Sequence, residues 1–249
     1  MAFAIQEWSQ QWSKNKWVRM AKWSMLILSF LLIIDIGYVL GITPEWSMVE
    51  RGPIQKSNFI KRYEYQQITN EKWPMLQWQP VTMSSIPLHV VHTFLVAEDS
   101  RFYEHSGFDK KAFKEAMEFN LSKRKFIFGA STISQQTVKN MFLTPSKNPL
   151  RKWHEFWLTL LMERNISKRR IIEIYLNIAQ FGLGVYGIEA ASQTYWNTSA
   201  NNLTQSQAIE LAASLPSPTN NNPYSRTQFF QNQTKKIQRN LNLIPKTLR

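Results

Sequence analysis

The ten residues Glu98–Gly107 read EDSRFYEHSG and stand between two predicted helices. Before them, the run HVVHTFLVAED at residues 89–99 is apolar along one helical stripe. After them, Asp109 can cap a second helix, whose face carries Ala112, Phe113, Ala116 and Met117. The pair Glu98 and Asp99 therefore lies where one helix ends. Such a pair is more often a solvated helix end than a site, so its meaning depends on the rest of the chain.

Helical signals continue through the rest of the chain. The spacing of Thr132 and Gln135 predicts a capping box and hence a helix start. The predicted helices are residues 132–142 before Pro145, Pro149–Asn165, a helix capped by Ser167 that runs to Asn177, and a last clear helix opened by Thr204 and Gln207 and ended by Pro216 and Pro218. No strand pattern is convincing after Thr82. These patterns predict a mainly α-helical domain.

The segment Trp23–Ile42, WSMLILSFLLIIDIGYVLGI, has about 20 residues and spans about 30 Å as a helix, which matches the hydrocarbon thickness of a bilayer. A cleavable signal peptide is the competing interpretation, but its apolar run is usually shorter, about 7–15 residues. We expect a retained transmembrane helix. Positive charge is concentrated before the segment, at Lys14, Lys16, Arg19 and Lys22, which predicts a cytoplasmic N-terminus and a body outside the cytoplasm.

The composition of the chain indicates which class of partner it binds. The chain has 30 Lys and Arg residues against 17 Asp and Glu, a formal charge of +13, which favours an anionic partner. A protein that faces away from the cytoplasm meets little nucleic acid, so lipid headgroups and a phosphorylated, lipid-linked substrate are the expected anions. The chain has no cysteine, which excludes disulfides, thiolate metal sites and a cysteine nucleophile.

Two further blocks accompany EDSRFYEHSG: GASTISQQTVKN at residues 129–140 and RKWHE at residues 151–155. With KRRIIEIYLNIAQFGLGVYGIEAAS at residues 168–192, they resemble the peptidoglycan glycosyltransferase family (family 51 glycosyltransferases), in its order and spacing. The resemblance covers most of residues 88–218. It implies a single N-terminal transmembrane helix followed by a lysozyme-like, two-lobed α-helical glycosyltransferase domain.

The resemblance also implies roles for individual residues. Glu98 would be the catalytic base, and Glu155 a second catalytic acidic residue. The residues expected to bind or support substrate are Lys139, Arg151, Thr132, Gln135, Gln136, Asn140, Ser131, Asp99, Phe102 and His105. We expect no metal ligands and no required cofactor. The sequence leaves open whether a divalent ion such as Mg or Mn helps to bind the diphosphate.

Each of these blocks also has a plainer interpretation. Thr132, Gln135, Gln136 and Lys139 share one helical face, which would ordinarily be an exposed polar face. Arg151 and Glu155 are four residues apart, as in a surface ion pair worth about 0.3–0.5 kcal/mol. His105 is more often a structural hydrogen-bonding histidine than an acid or base.

The leaving group distinguishes two reactions. Cleavage of a glycosidic bond requires a protonated carboxylic acid, whereas a diphosphate leaves as a stable anion and requires cations instead. Lys139 and Arg151 favour the second reaction. The family resemblance implies that its substrates are lipid II and a growing glycan chain and that Glu98 deprotonates the acceptor hydroxyl. The alternatives are a membrane-bound lytic transglycosylase or muramidase that cuts the same polymer, and a non-catalytic scaffold or nucleic-acid-binding module.

The expected organisation is a cytoplasmic segment at residues 1–22, the transmembrane helix at 23–42, a membrane-proximal connector at 43–87 and the glycosyltransferase domain at 88–249. We expect a single-pass protein of the bacterial inner membrane, with a periplasmic catalytic domain. Membrane lipid and other cell-wall synthesis or division proteins are its expected partners, and nucleic acid is not.

Three segments carry further expectations. The basic and aromatic segment Lys123–Phe128 is either a solvated loop or a surface that dips into the headgroups. The SxxK match at Ser122–Lys125 has no KTG companion, so we expect a monofunctional enzyme without a transpeptidase domain. Near the C-terminus the family usually has a paired-arginine motif, of which Lys235–Ile244 retains only Arg239, so this element departs from the family pattern.

Overall fold

The computed structural model describes residues 2–125, 129, 131–146 and 148–243, with side chains from residue 16 onward. The chain divides into two compact units, residues 1–43 and 44–249. The first unit is the helix α1, Ala2–Ile42. The N-terminal helical stretch contains an 18-residue window of mean hydropathy 2.4, which is long and apolar enough to cross a membrane. It is the one such span among the described residues, as the sequence predicts.

The second unit is mainly α-helical, which confirms the predicted fold class. Its helices are α2 Trp46–Arg51, α3 Asn58–Thr69, α4 Leu88–Glu98, α5 Lys110–Lys123, α6 Ile133–Phe142, α7 Pro149–Asn165, α8 Lys168–Ile178, α9 Ile188–Trp196, α10 Gln205–Ser214 and α11 Gln228–Leu243. Short 3₁₀ turns lie at Met83–Ser85, Phe102–Glu104 and Ala200–Asn202.

Local side-chain caps explain where several helices start. The side chains of Asp109, Thr132, Ser167 and Thr204 each accept a hydrogen bond from a backbone N–H in the first turn of their helix. Thr132 and Thr204 do so within complete capping boxes, with Gln135 and Gln207 as the reciprocal partners. These starts are the ones that the sequence predicts.

The expectation that no strand follows Thr82 is wrong. β1, Gln77–Trp78, pairs in parallel with β3, Val185–Tyr186, which pairs antiparallel with β2, Gln180–Gly182. These strands have two or three residues each, too few to show the alternation by which a strand is recognised in a sequence. Gly187 follows at φ +83°, where an added Cβ would lie 2.7 Å from the carbonyl oxygen of Asn177, so glycine is required there.

The core surrounds α8, whose residues from Ile171 to Ile178 are almost all buried. α6 packs against both α7 and α8. Residues from the predicted connector also contribute, because Ile60 and Tyr63 of α3 join a buried cluster with Ile174, Ile178 and Tyr186. Residues 44–87 thus pack into the same unit as the chemistry-bearing blocks.

Two helices differ from expectation. The helix opened by Thr204 is not the last, because α11 follows it and packs on α4 and α10. Its buried residues Phe230, Ile237 and Leu241 lie seven and four apart, which is a helical spacing. The apolar face predicted on α5 is largely exposed, with Phe113 and Met117 facing solvent.

Candidate active site

Glu98 ends α4 and lines a cavity of about 210 Å³ together with Asp99, Arg101, Ser131 and Thr132. Its carboxylate oxygen Oε2 accepts a 2.8 Å hydrogen bond from the side-chain amide of Gln136 on α6. The end of one helix and the first turns of another therefore meet at this carboxylate. Glu98 is not a fully solvated helix end, because its side chain is partly buried and hydrogen-bonded to Gln136.

The environment of Glu98 changes its acidity. Burial raises the pKa of Glu98 above its ordinary value, while the hydrogen bond from Gln136 and the charge of Lys139 lower it. The nearby charge of Asp99 raises the pKa of Glu98 further. A carboxylate whose pKa is moved upward is a stronger base once it is ionised, which suits general-base chemistry near neutral pH.

Lys139 lies one turn beyond Gln136 on α6. The pKa of Lys139 is lowered, chiefly by burial. The negative charges of Glu155 and Glu98 partly offset this effect, because they favour the protonated lysine. Its ammonium group therefore interacts with the carboxylates of both α4 and α7. The predicted strip on α6 is not an exposed polar face, since none of Thr132, Gln135, Gln136 and Lys139 is exposed.

Arg151 and Glu155 form an ion pair on the inner face of α7, with Arg151 Nη1 2.7 Å from Glu155 Oε2. Lys152 also contacts the Glu155 carboxylate, through Nζ and Oε1. The Glu155 side chain is only 2% exposed. This arrangement is not an ordinary surface ion pair, because a buried carboxylate requires partners to offset its desolvation.

Asp99 and His105 join the cavity wall to α6. Asp99 Oδ2 accepts a 3.0 Å hydrogen bond from the backbone N–H of Ile133, at the start of α6. The backbone N–H of Gly107 donates to His105 Nδ1, so His105 Nε2–H donates to Asp99, at 3.0 Å from Oδ1. These contacts give His105 a structural hydrogen-bonding role and fix the start of α6 next to Glu98.

Several of the predicted substrate-binding side chains are occupied by such structural contacts. Thr132 donates to the carbonyl of Gly107 at 2.6 Å and, with Gln135, completes the capping box. The buried ring of Phe102 lies under Lys168 Nζ, 4.2 Å from the ring centre. Ser131 is exposed and Asn140 is partly exposed, so both can be reached from solvent. A direct substrate contact stays a prediction for all of these residues.

Asp99, His105 and Asp109 form the one cluster among the described residues with metal-ligand types, with atoms within 4.8 Å of one another. Each of these side chains already has hydrogen-bonding partners. Asp109 pairs with Arg101 at 2.7 Å and caps α5, while Asp99 and His105 bond each other. A cation here would have to displace the hydrogen-bond donors that these side chains already contact. The cluster therefore fits a structural hydrogen-bond network better than a metal site.

Comparison with known proteins identifies the family. Residues 66–242 match the family described as Transglycosylase. The chain belongs to this family. The transglycosylase is 40% identical over 202 residues to the biosynthetic peptidoglycan transglycosylase of Dechloromonas aromatica (strain RCB), with 80% of this chain and 86% of the relative covered.

Biosynthetic peptidoglycan transglycosylases of other bacteria are similar to this chain to a comparable degree. The transglycosylase is 45% identical over 161 residues to that of Caulobacter vibrioides, which covers 65% of this chain and 69% of the relative. It is 37% identical over 211 residues to that of Haemophilus influenzae (strain Rd), which covers 84% of this chain and 80% of the relative. The alignments thus extend over most of the second unit.

Sequence reasoning missed two polar contacts in the site of the transglycosylase. Lys152 was not singled out, although it lies three residues before Glu155 and hence on the same helical face. Tyr175 lies within the predicted helix that Ser167 caps, and its hydroxyl donates to Gln136. A tyrosine on the buried face of a predicted helix is the sequence signal for this contact, because a buried tyrosine hydroxyl ordinarily requires a hydrogen-bond partner.

Proposed function

We propose that this transglycosylase polymerises the glycan strands of peptidoglycan from lipid II, with release of undecaprenyl diphosphate. The observation that carries the proposal is that the partly buried carboxylate of Glu98 lies near the cation of Lys139, which also interacts with Glu155 of the Arg151–Glu155 pair. The names of the relatives support synthesis of glycan and do not favour the lytic alternative.

The proposed reaction is an inverting displacement. Glu98 accepts the proton of the acceptor's 4-hydroxyl as that oxygen attacks the anomeric carbon of the donor muramyl sugar. The bond from this carbon to the diphosphate oxygen breaks, and a β-1,4 bond replaces an α-linked diphosphate. Lys139 and Arg151 stabilise the negative charge that develops on the diphosphate. Glu155 holds Arg151 and Lys152 in place and moderates their charge.

Incubation of the detergent-solubilised full chain with lipid II tests this function. The proposal expects a polymer that a muramidase converts to small fragments, together with released undecaprenyl diphosphate. Incubation with preformed glycan alone is the control, since a lytic enzyme would shorten that glycan and leave lipid II unchanged. A parallel reaction with a chelator tests the expectation that no metal is required.

The location of the enzyme is also a proposal. α1 would anchor the chain in the inner membrane with its N-terminus in the cytoplasm, because the basic residues precede the apolar segment. The polyprenyl tail of lipid II stays in the bilayer, so the site must lie within reach of the headgroups. α7 supports this placement, because Arg151 and Glu155 lie on its inner face while Trp153, Phe156 and Trp157 are exposed aromatic residues.

A truncated protein without Met1–Ile42 tests the membrane contact of the second unit. We expect it to fold and polymerise, because the proposed base and cations all lie in residues 44–249. It should float with anionic liposomes at low salt, and less at high salt. A Trp153→Ser, Trp157→Ser double mutant should float less, whereas Ile68→Ser, which removes a more exposed apolar side chain from α3, should not.

The absence of flotation for the truncated protein would contradict this second contact and leave the anchor as the sole membrane attachment. The sequence also offers Lys123–Phe128 as a membrane contact, with a solvated loop as the alternative. Phe126, Ile127 and Phe128 lie outside the described residues, so that expectation stays a prediction.

The pH dependence of turnover follows from the two shifted groups. The base must be ionised, and the raised pKa of Glu98 means that activity is lost on acidification at a higher pH than for an ordinary glutamate. Lys139 must be protonated, and its lowered pKa means that activity falls on the alkaline side before an ordinary lysine would titrate. We expect a bell-shaped profile of kcat/KM, with the alkaline limb moved upward in Lys139→Arg. An unchanged alkaline limb in a folded, active Lys139→Arg protein would remove Lys139 from this account.

A further inference from the structure

Tyr175 lies on α8, outside the three blocks that supply the proposed catalytic groups, and its side chain is 1% exposed. Its hydroxyl donates a 3.3 Å hydrogen bond to the side-chain carbonyl oxygen of Gln136. A buried hydroxyl without a partner is costly, so this bond accounts for the polar end of an otherwise apolar residue. The remaining buried residues around Tyr175 on α8 are mostly apolar.

The same Gln136 side chain contacts Glu98 through its other end. Its amide nitrogen Nε2 donates to Glu98 Oε2 at 2.8 Å while its oxygen accepts from Tyr175. A side-chain amide can rotate so that its oxygen and nitrogen exchange places. In that rotated state the amide oxygen would face the Glu98 carboxylate, and two acceptors would oppose each other. The ionised Glu98 carboxylate can only accept, so it favours the orientation in which the NH₂ group faces it, and the Tyr175 hydroxyl stabilises that orientation by donating to the amide oxygen.

This donor does not titrate in the working range of the enzyme. Burial and the negative charges of Glu98 and Asp99 raise the pKa of Tyr175 well above its ordinary value of 10.0. The hydroxyl therefore keeps its proton at neutral pH. Gln136 in turn lowers the pKa of Glu98 against the effect of burial, and that effect requires the NH₂ group to face the carboxylate.

We propose that Tyr175 is a positioning residue for the base: through Gln136 it orients the Glu98 carboxylate and keeps it ionised. Tyr175 touches neither substrate nor the reacting atoms. Its contribution passes through two hydrogen bonds that link α8 to α6 and α6 to the end of α4. The proposal rests on the proposed function, because it assigns Tyr175 a part in the action of Glu98 on lipid II.

Tyr175→Phe removes the hydroxyl and retains the ring. We expect kcat on lipid II to fall by about threefold to tenfold with little change in KM, since one hydrogen bond to the base's partner is weakened. The acidic limb of the kcat/KM profile should also move to higher pH, because the pKa of Glu98 rises when Gln136 no longer lowers it. A loss of packing alone would lower activity without moving this limb.

Tyr195→Phe is the matched control. The Tyr195 hydroxyl also donates to a carbonyl oxygen, that of Phe181 at 2.8 Å, on a part of the fold that carries none of the proposed site residues. We expect this variant to lose thermal stability without any shift of the acidic limb. The comparison separates the loss of a tyrosine hydroxyl in general from the loss of this one.

Gln136→Ala completes the test and also serves if Tyr175→Phe does not fold. Alone, it should move the acidic limb in the same direction, and in its background Tyr175→Phe should have no further effect on the limb. An unshifted limb in folded Tyr175→Phe, or additive effects of the two changes, would overturn the proposal. These results are read only against a wild-type protein that polymerises lipid II, so a failure of the proposed function is recognised separately.

Discussion

Glu98→Gln is expected to abolish polymerisation, with turnover of lipid II reduced by at least about a hundredfold, since a positioned general base contributes roughly 10²–10⁴ in rate. The substitution keeps the shape of the side chain, and its amide oxygen can still accept the hydrogen bond from Gln136. It removes the group that takes the acceptor's proton. Circular dichroism and a lipid II turnover assay measure fold and activity together.

Stability gives this variant an independent signature. The pKa of Glu98 is raised in the folded chain, so the ionised carboxylate destabilises the fold at neutral and alkaline pH, and this cost disappears as pH falls below the ordinary carboxylate range. Glu98→Gln should therefore melt no lower than the wild type at pH 8, and any gain should vanish near pH 4. Glu118→Gln on α5, which changes an exposed glutamate, is the matched control and should alter neither property. Near-wild-type turnover in folded Glu98→Gln would remove Glu98 from the role of base.

Lys139→Ala and Arg151→Ala are each expected to lower kcat/KM by at least about tenfold, because a charge-assisted contact is worth roughly 1.5–3 kcal/mol. Arg151→Ala should also lower the melting temperature, since it leaves the buried Glu155 with Lys152 as its remaining ion-pair partner. Lys139 forms no ion pair of this kind among the described residues, so its loss should act mainly on kinetics.

Lys114→Ala on α5 removes a lysine that is 79% exposed and is the matched control for charge alone. Steady-state kinetics on lipid II, with melting curves for all three variants, provide the measurement. Wild-type kinetics in both Lys139→Ala and Arg151→Ala would mean that these cations do not bind the diphosphate.

Local features of this chain could be predicted because they are decided by neighbours in sequence. The capping boxes at Thr132 and Thr204 and the cap at Asp109 lie where the spacing of polar residues places them. The apolar N-terminal helix is equally evident, since length and hydropathy alone define it. The order and spacing of the three motif blocks were sufficient to suggest the family.

Tertiary features could not be predicted in the same way. Whether Gln136 and Lys139 face solvent or a cavity depends on α7 and α8, which follow them in the chain. The strand pair at residues 77–78 and 185–186 joins segments more than a hundred residues apart and has no periodicity of its own. The face of α5 was predicted from apolar residues that the fold leaves exposed, which shows that amphipathicity alone does not say what covers a helix.

The most direct measurement supplies both substrates at once: labelled lipid II and unlabelled, preformed glycan, with the full chain in detergent. If the chain is a polymerase, label enters muramidase-sensitive chains, undecaprenyl diphosphate is released in proportion to the bonds formed, and the preformed glycan does not become shorter. Glu98→Gln should give none of this product. Shortening of the preformed glycan while lipid II stays intact would contradict the account and identify the chain as a lytic enzyme.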